Sequence, residues 1–216
     1  MMRIGLKNGF IKEGDNMNYY ASDLHLFCKS QLKDGNFDKR PFDTLEEMHE
    51  VIKKNWNSTV TNADHVYILG DISRRGYDEN TIAFLSQLRG QLHWIRGNHD
   101  NDSDARLRRL FVEICDYKKI SDSIAGKSYE VVVSHYPILC WENQHKGAIH
   151  LYGHTHKTHD HEYFQKCVAE LNKWYQVRDG ESYKPFYAVN VGIMMPYMEW
   201  RPKTLKEILD ANRIEM

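Results

Sequence analysis

Five times along this chain a short apolar run stops at a side chain of the kind that binds metal ions. The run at 17–22 leads into Asp23-Leu24-His25, and that at 65–69 into Gly70-Asp71. The run at 92–95 leads into Gly97-Asn98-His99-Asp100, that at 129–133 into Ser134-His135, and that at 149–152 into Gly153-His154-Thr155-His156. A single Asp-x-His is a weak signal, because it occurs by chance. Repetition of apolar strand followed by ligand, five times in order, constrains the fold far more. Residues 17–25 read as a buried strand carrying Asp23 and His25 on one face, since side chains two apart on an extended backbone point the same way.

The segments between these runs carry helical patterns. Thr44 with Glu47 predicts a capping box, followed by Leu45, Met48, Ile52 and Trp56 at helical spacing. Ile82, Leu85 and Leu88 predict a second helix stopped by Gly90, and Leu107, Leu110, Phe111 and Ile114 a third. Residues 161–176 read as a helix with Phe164, Cys167, Val168, Leu171 and Trp174 on its apolar stripe. The segment 186–191 reads as a closing strand, and Thr204 with Glu207 caps a last helix. Strand–helix alternation early and strand–strand succession later predict an α/β fold with mixed sheets. The 216 residues show no repeat, low-complexity tract or splitting linker, so residues 1–216 are expected to form one domain. Residues 1–16 read either as a small Asn-Gly hairpin at 4–11 or as sequence that is not native, with Met17 as the natural start.

Composition narrows the function classes. A formal net charge of -1 gives no global basic field and argues against a nucleic-acid partner. Arg106, Arg108 and Arg109 form a local cluster that reads as a solvated helix face. There is no bilayer-length apolar run and no signal-peptide pattern, so no membrane role is expected. Cys28, Cys115, Cys140 and Cys167 are scattered with no C-x-x-C pair, which predicts reduced thiols and a cytoplasmic location. Of 12 histidines, His135, His154 and His156 follow strand-like runs; His49, His65, His93 and His150 read as structural.

These residue types suit two divalent cations. Asp71 is the natural bridge, since a carboxylate has two oxygens to share, at a metal separation of roughly 3.5–4 Å. Asp23, His25 and one later histidine would complete one metal; Asn98, His135 and another later histidine would complete the second. Mixed imidazole and carboxylate ligands favour manganese, iron, zinc, cobalt or nickel over calcium, and manganese is the ion expected. Gly70, Gly97 and Gly153 would let backbone pack closely behind the ligands; ordinary strand-end turns are the plainer alternative.

The set Asp23-x-His25, Gly70-Asp71, Gly97-Asn98-His99-Asp100, His135 and Gly153-His154-Thr155-His156 resembles the calcineurin-like metallophosphoesterase superfamily. With Arg40-Pro41-Phe42, Asn55-Trp56-Asn57 and Ser134-His135-Tyr136-Pro137, it is similar to small bacterial and phage-type phosphoesterases. The resemblance implies a four-layer α/β/β/α sandwich of two mixed β-sheets flanked by helices, with the site at the strand ends. It implies that Asp23, His25, Asp71 and His156 hold one metal and that Asp71, Asn98, His135 and His154 hold the other. His99 would face the leaving-group oxygen, and a hydroxide bridging the metals would attack phosphorus in line. Arg75 matches the phosphate-contacting Arg of the family, in a two-Arg run that leaves the register open. The second Asp that orients the catalytic His in the protein Ser/Thr phosphatases is replaced here by Arg74, which leaves Asp100 or Asp102 as candidates. The block after Asn98 lacks their Glu and Arg, which argues against a phosphoprotein phosphatase. The expected activity is phosphodiester hydrolysis on nucleotides or other small diesters. A phosphomonoesterase is the runner-up, ahead of a nuclease or a non-catalytic binding module on the same fold. Tyr136, Trp141 and His145 are candidates for the substrate pocket or for packing.

Overall fold

A computed structural model of the chain describes residues 16–73 and 79–215. The hairpin expected at 4–11, Arg74 and Arg75 lie outside the described residues. Two sheets form the centre. The first has the order β4-β3-β2-β1-β9, built from β1 (Asn18–Ala21), β2 (His65–Ile68), β3 (Gln91–Ile95), β4 (Phe111–Cys115) and β9 (Lys203–Thr204). Its first four strands run parallel and β9 pairs antiparallel to β1. The second has the order β5-β6-β7-β8, from β5 (Tyr117–Ile124), β6 (Lys127–Ser134), β7 (Ile149–Tyr152) and β8 (Ala188–Asn190). There β5 and β6 make an antiparallel hairpin, and β6, β7 and β8 run parallel.

Alternation along the strands sorts side chains into layers. Tyr19, Val66, Ile68, Leu92 and Trp94 face an outer core with α1 (Leu45–Thr59) and α2 (Glu79–Leu85). Their neighbours Tyr20, Tyr67, Leu69 and Ile95 face Val131, Val133, Ile149, Leu151 and Val189 of the other sheet. Val132, Tyr152 and Ala188 turn the opposite way, onto Phe164 and Val168 of α4 (His159–Asp179). This is the four-layer arrangement expected. The last helix, α5 (Leu205–Ala211), adds Leu205, Ile208 and Leu209 to the core between the sheets. Trp56 and Trp94 are fully buried, each contributing about 1.5–3 kcal/mol or more of apolar burial. Their indole N–H groups donate to Arg89 O and Asp100 Oδ2, so Trp94 also ties the core to the loop that carries Asn98 and His99.

Local chemistry sets the element ends. Thr44 Oγ1 accepts from Glu47 N, but the Glu47 carboxylate accepts from Asp43 N rather than from Thr44, so this capping box is half made. At α5 the Thr204–Glu207 box is complete. The third predicted helix is corrected: α3 (Ala105–Arg108) is a single turn, and residues 111–115 form a strand on β3. Leu107, Leu110, Phe111 and Ile114 fit a helical period, yet Phe111-Val112-Glu113-Ile114-Cys115 is β-prone and pairs with an open sheet edge. The expected solvated face survives: Arg106 pairs with Glu79 and Asp104, and Arg108 donates to Asp102 O. Among the described residues no helix is long and apolar enough to cross a membrane.

Candidate functional site

The parallel strands of both sheets release their chain toward one region, and the expected ligands lie in the loops that follow. The conformation there is not the one expected. β1 ends at Ala21, and Asp23 and His25 sit beyond it in the left-handed region, at φ 56° and 46°. Their shared orientation comes from two left-handed residues spaced by Leu24, not from an extended strand. Asp71, His154 and His156 are also left-handed, at φ 53°, 66° and 47°. Such backbone costs a non-glycine residue about 1–3 kcal/mol and collects at functional sites. Long-range backbone bonds hold it: Asp23 N donates to Gly70 O, His25 N to Asp71 O, and Leu26 N to Ile72 O.

Close packing behind the ligands accounts for two glycines. A Cβ at Gly97 would lie 2.3 Å from Asp71 Oδ1, and one at Gly153 would lie 1.9 Å from Ser22 Oγ and 2.5 Å from Asp23 Oδ2.

The side chains converge as two groups sharing Asp71. Asp23, His25, Asp71 and His156 place one donor atom each within 4.8 Å of one another, and Asp71, His135 and His154 do the same. The two carboxylate oxygens divide between them: Asp71 Oδ2 is 3.6 Å from His25 Nε2, and Oδ1 is 3.6 Å from His135 Nε2. Asn98 Oδ1 joins the second group, 3.0 Å from His135 Nε2 and 2.8 Å from His154 Nδ1. His25 Nε2 and His156 Nε2 stand 3.1 Å apart. Two imidazole nitrogens this close, on the same side as Asp23 and Asp71, could both reach one cation.

Burial takes these donors out of water and shifts the imidazoles and the carboxyl in opposite directions. Asp23, His25, Asp71, His135 and His156 are all at most 3% exposed. Burial pushes the His25 imidazole well down, helped by the charges of His156 and Arg40, and burial beside His135 lowers His154. Burial also raises the Asp23 carboxyl, against the pull of His156 and His135. Buried carboxylates beside imidazoles that burial holds neutral, as at His25 and His154, fit divalent cations, which would replace the water these groups have lost.

The outward ring nitrogens are fixed by what the other nitrogen does. His135 Nδ1 donates to Leu69 O at 2.8 Å, which leaves Nε2 for the group. His156 Nδ1 donates to both oxygens of Asp38 at 2.9 Å. Asp38 in turn accepts from Arg40 Nε and Nη2, at 3.1 and 3.0 Å. Arg40, 1% exposed, also donates to Leu24 O and Asp23 O. Sequence reasoning passed over Asp38 and the burial of Arg40, because both lie in a loop with the composition of a solvated one.

His99 is exposed; its backbone N–H donates to Asp71 Oδ1, and its ring lies 5.6 Å from that of His25. Asp100 accepts from the backbone of Asp71, Ile72 and Gly97 and from Trp94, and Asp102 pairs with Arg96. The hydrogen bonds described for both candidates therefore run to groups other than His99. The centre opens into a cavity of about 300 Å³ lined by His25, Asp71, Asn98, His99, His154 and His156, and also by Ser30, Gln31, Asn36 and Phe37. Cavities of about 340 and 530 Å³ elsewhere carry none of these ligands. Tyr136 packs on His154 and His135, whereas Trp141 and His145 pack on Phe186. His65 and His93 hydrogen-bond each other, His49 accepts from Phe27 N, and His150 lies buried between Val132 O and Ile138 N.

Comparison with known proteins agrees with this geometry. A family model described as calcineurin-like phosphoesterase matches residues 19–176. The chain is 31% identical over 146 residues to the uncharacterized protein MJ1445 of Methanocaldococcus jannaschii, covering 67% of this chain and 72% of that one. It is 27% identical over 162 residues to the gene 66 protein of Mycobacterium phage L5, covering 64% and 76%. The fold is shared with a crystal structure of a protein of unknown function, AQ665 from Aquifex aeolicus, at TM-score 0.61 and 21% identity over 91% of this chain and 100% of that one. With the family match spanning most of the chain and its metal-type groups gathered in one place, the chain belongs to the calcineurin-like phosphoesterase family of metal-dependent hydrolases of phosphate esters.

Proposed function

We propose that this chain is a phosphodiesterase acting on nucleotides or other small diesters, with all its chemistry in one domain. The observation that carries the reading is the division of the Asp71 carboxylate, one oxygen toward each donor group, at the floor of a cavity that His99 borders. Asp23, His25, Asp71 and His156 would hold one cation, and Asp71, Asn98, His135 and His154 the other. The mixed donor set suits manganese. Two bound cations would lower the pKa of a water and offset charge on the phosphoryl oxygens.

The chain's own groups do the rest. The His99 backbone N–H holds Asp71 Oδ1, while its exposed ring is free to hold a proton for the leaving oxygen. Arg75 is assigned to the phosphoryl group. The near-neutral net charge supports a small substrate over a nucleic-acid strand. Four unpaired cysteines support a cytoplasmic setting.

The test is manganese-dependent turnover of bis-p-nitrophenyl phosphate beside p-nitrophenyl phosphate, with Asp71→Asn as control. Diester turnover that Asp71→Asn abolishes is the expected result. Turnover of the monoester alone would replace the reading with a phosphomonoesterase.

A further inference from the structure

Cations at this centre would recognise phosphoryl oxygens, which every phosphate ester has. Selectivity needs a contact to the rest of the substrate, and the cavity lining beyond the donor groups offers one. Two buried side-chain polar atoms have no hydrogen-bond partner among the described residues, His25 Nδ1 and Gln31 Oε1. His25 belongs to the donor groups. Gln31 does not, yet it lines the same cavity and is 3% exposed. An unpaired carbonyl acceptor in such a place is costly unless a ligand's N–H or O–H meets it.

Its surroundings are built rather than loose. Gln31 O accepts from the backbone of the buried Arg40, and Gln31 N donates to Cys28 O. The turn that follows brings Phe37 N to Ser30 O, and a Cβ at Gly35 would lie 2.3 Å from that same oxygen. Phe37 is thereby set on the cavity wall with half its surface exposed, its ring 4.8 Å from that of His156 and nearly perpendicular to it. One short loop thus places the buried, unpaired amide of Gln31 and a half-exposed phenyl ring beside the phosphate-binding centre.

We infer that the 29–37 loop is a nucleobase subsite, in which Gln31 Oε1 accepts a base N–H while the base stacks on Phe37. A planar heterocycle with an N–H donor answers both features; an alkyl arm answers neither, and a plain phenyl arm answers only the second. Stacking on an aromatic side chain and one satisfied buried hydrogen bond each contribute roughly a factor of ten in affinity. The inference deepens the phosphodiesterase reading and rests on it for the position of the phosphate, so binding and turnover are measured separately.

Manganese-loaded protein is titrated calorimetrically with methyl phosphate, with the four common nucleoside 5′-monophosphates, and with an N-methylated analogue of the tightest of these. The expected result is at least one nucleotide binding tenfold or more above methyl phosphate, with about tenfold lost on N-methylation. In Gln31→Leu the penalty for N-methylation disappears. In Phe37→Ala the ratio of nucleotide to methyl phosphate affinity falls about tenfold. Equal binding of nucleotides and methyl phosphate, absence of binding by either, or no response to N-methylation would each overturn the proposal. Should Gln31→Leu not fold, the N-methyl comparison on the unaltered protein decides alone. Turnover of a nucleoside 5′-p-nitrophenyl phosphate and of bis-p-nitrophenyl phosphate is then read. Base-selective binding without turnover of either would remove the phosphodiesterase reading and keep the subsite; turnover without base selectivity would do the reverse.

Discussion

Replacing Asp38 with Asn tests how the centre is held. Burial pushes the Asp38 carboxyl up, but the hydrogen bond and charge of His156 and the charge of Arg40 outweigh it and leave the group below the usual carboxylate range. Both partners are buried, the Arg40 side chain at 0% exposure and Asp38 at 4%. The substituted amide would keep one acceptor oxygen for a site that now presents three donor atoms, His156 Nδ1 and Arg40 Nε and Nη2. Breaking a buried pair costs about 3–5 kcal/mol, because the remaining charge stays out of water. In a chain of 216 residues a loss of about 3 kcal/mol lowers Tm by roughly 6–12 °C. A ligating imidazole that loses its carboxylate partner typically costs 10–100-fold in metal affinity. The two effects separate experimentally: thermal unfolding in chelator reads the first, and manganese titration at a temperature where the variant is folded reads the second. An Asp38→Asn protein with unchanged Tm in chelator and unchanged manganese affinity would show that Asp38 does not hold His156 and Arg40 in place.

Three further outcomes follow from the same structure. His99→Gln should lower kcat by roughly 10²–10⁴ while leaving the manganese titration as in the unaltered protein; a lost metal site instead would make His99 a positioning residue. Gly153→Ala should abolish tight manganese binding, since its Cβ would overlap Ser22 Oγ and crowd Asp23 Oδ2, and a normal titration would show that the loop can give way. His150 has its pKa lowered to about 4 by burial, against hydrogen bonds to the backbone that raise it. Its unfolded form takes a proton near pH 6.5 and its folded form only near 4, so this contribution is full above pH 6.5 and is lost as pH falls toward 4. That amounts to about 3 kcal/mol, and urea unfolding of His150→Asn should show a correspondingly flatter pH slope between 6.5 and 4; equal slopes would contradict the assignment.

The parts of this protein legible in its sequence are those whose chemistry is explicit in residue type. Asp, His and Asn after apolar runs cannot be disguised, and the glycines behind them are demanded by contact distances such as that between a Gly97 Cβ and Asp71 Oδ1. Residue types alone left open which of His154 and His156 joins which group, since both are equivalent donors; the resemblance proposed one division, and the structure groups His156 with Asp23 and His25, and His154 with His135. Other features were hidden for physical reasons. Residues 111–115 satisfy two periods at once, and only the open edge of β3 decides for strand. β5 is a polar edge strand whose alternation is weak, and β9 has two residues. Left-handed backbone at Asp23, His25, Asp71, His154 and His156 is open to Asp and His, but the tertiary hydrogen bonds that hold it there do not show in the sequence. Asp38 and Arg40 look like any charged pair in a polar loop until the fold buries them.

Anomalous scattering from a manganese-soaked crystal would show whether Asp71 divides a two-cation centre. Two peaks per chain are expected, about 3.5–4 Å apart, with the Asp71 carboxylate between them. One should lie against Asp23, His25 and His156, and the other against Asn98, His135 and His154. A single peak, or two peaks that Asp71 does not join, would contradict that division of the centre.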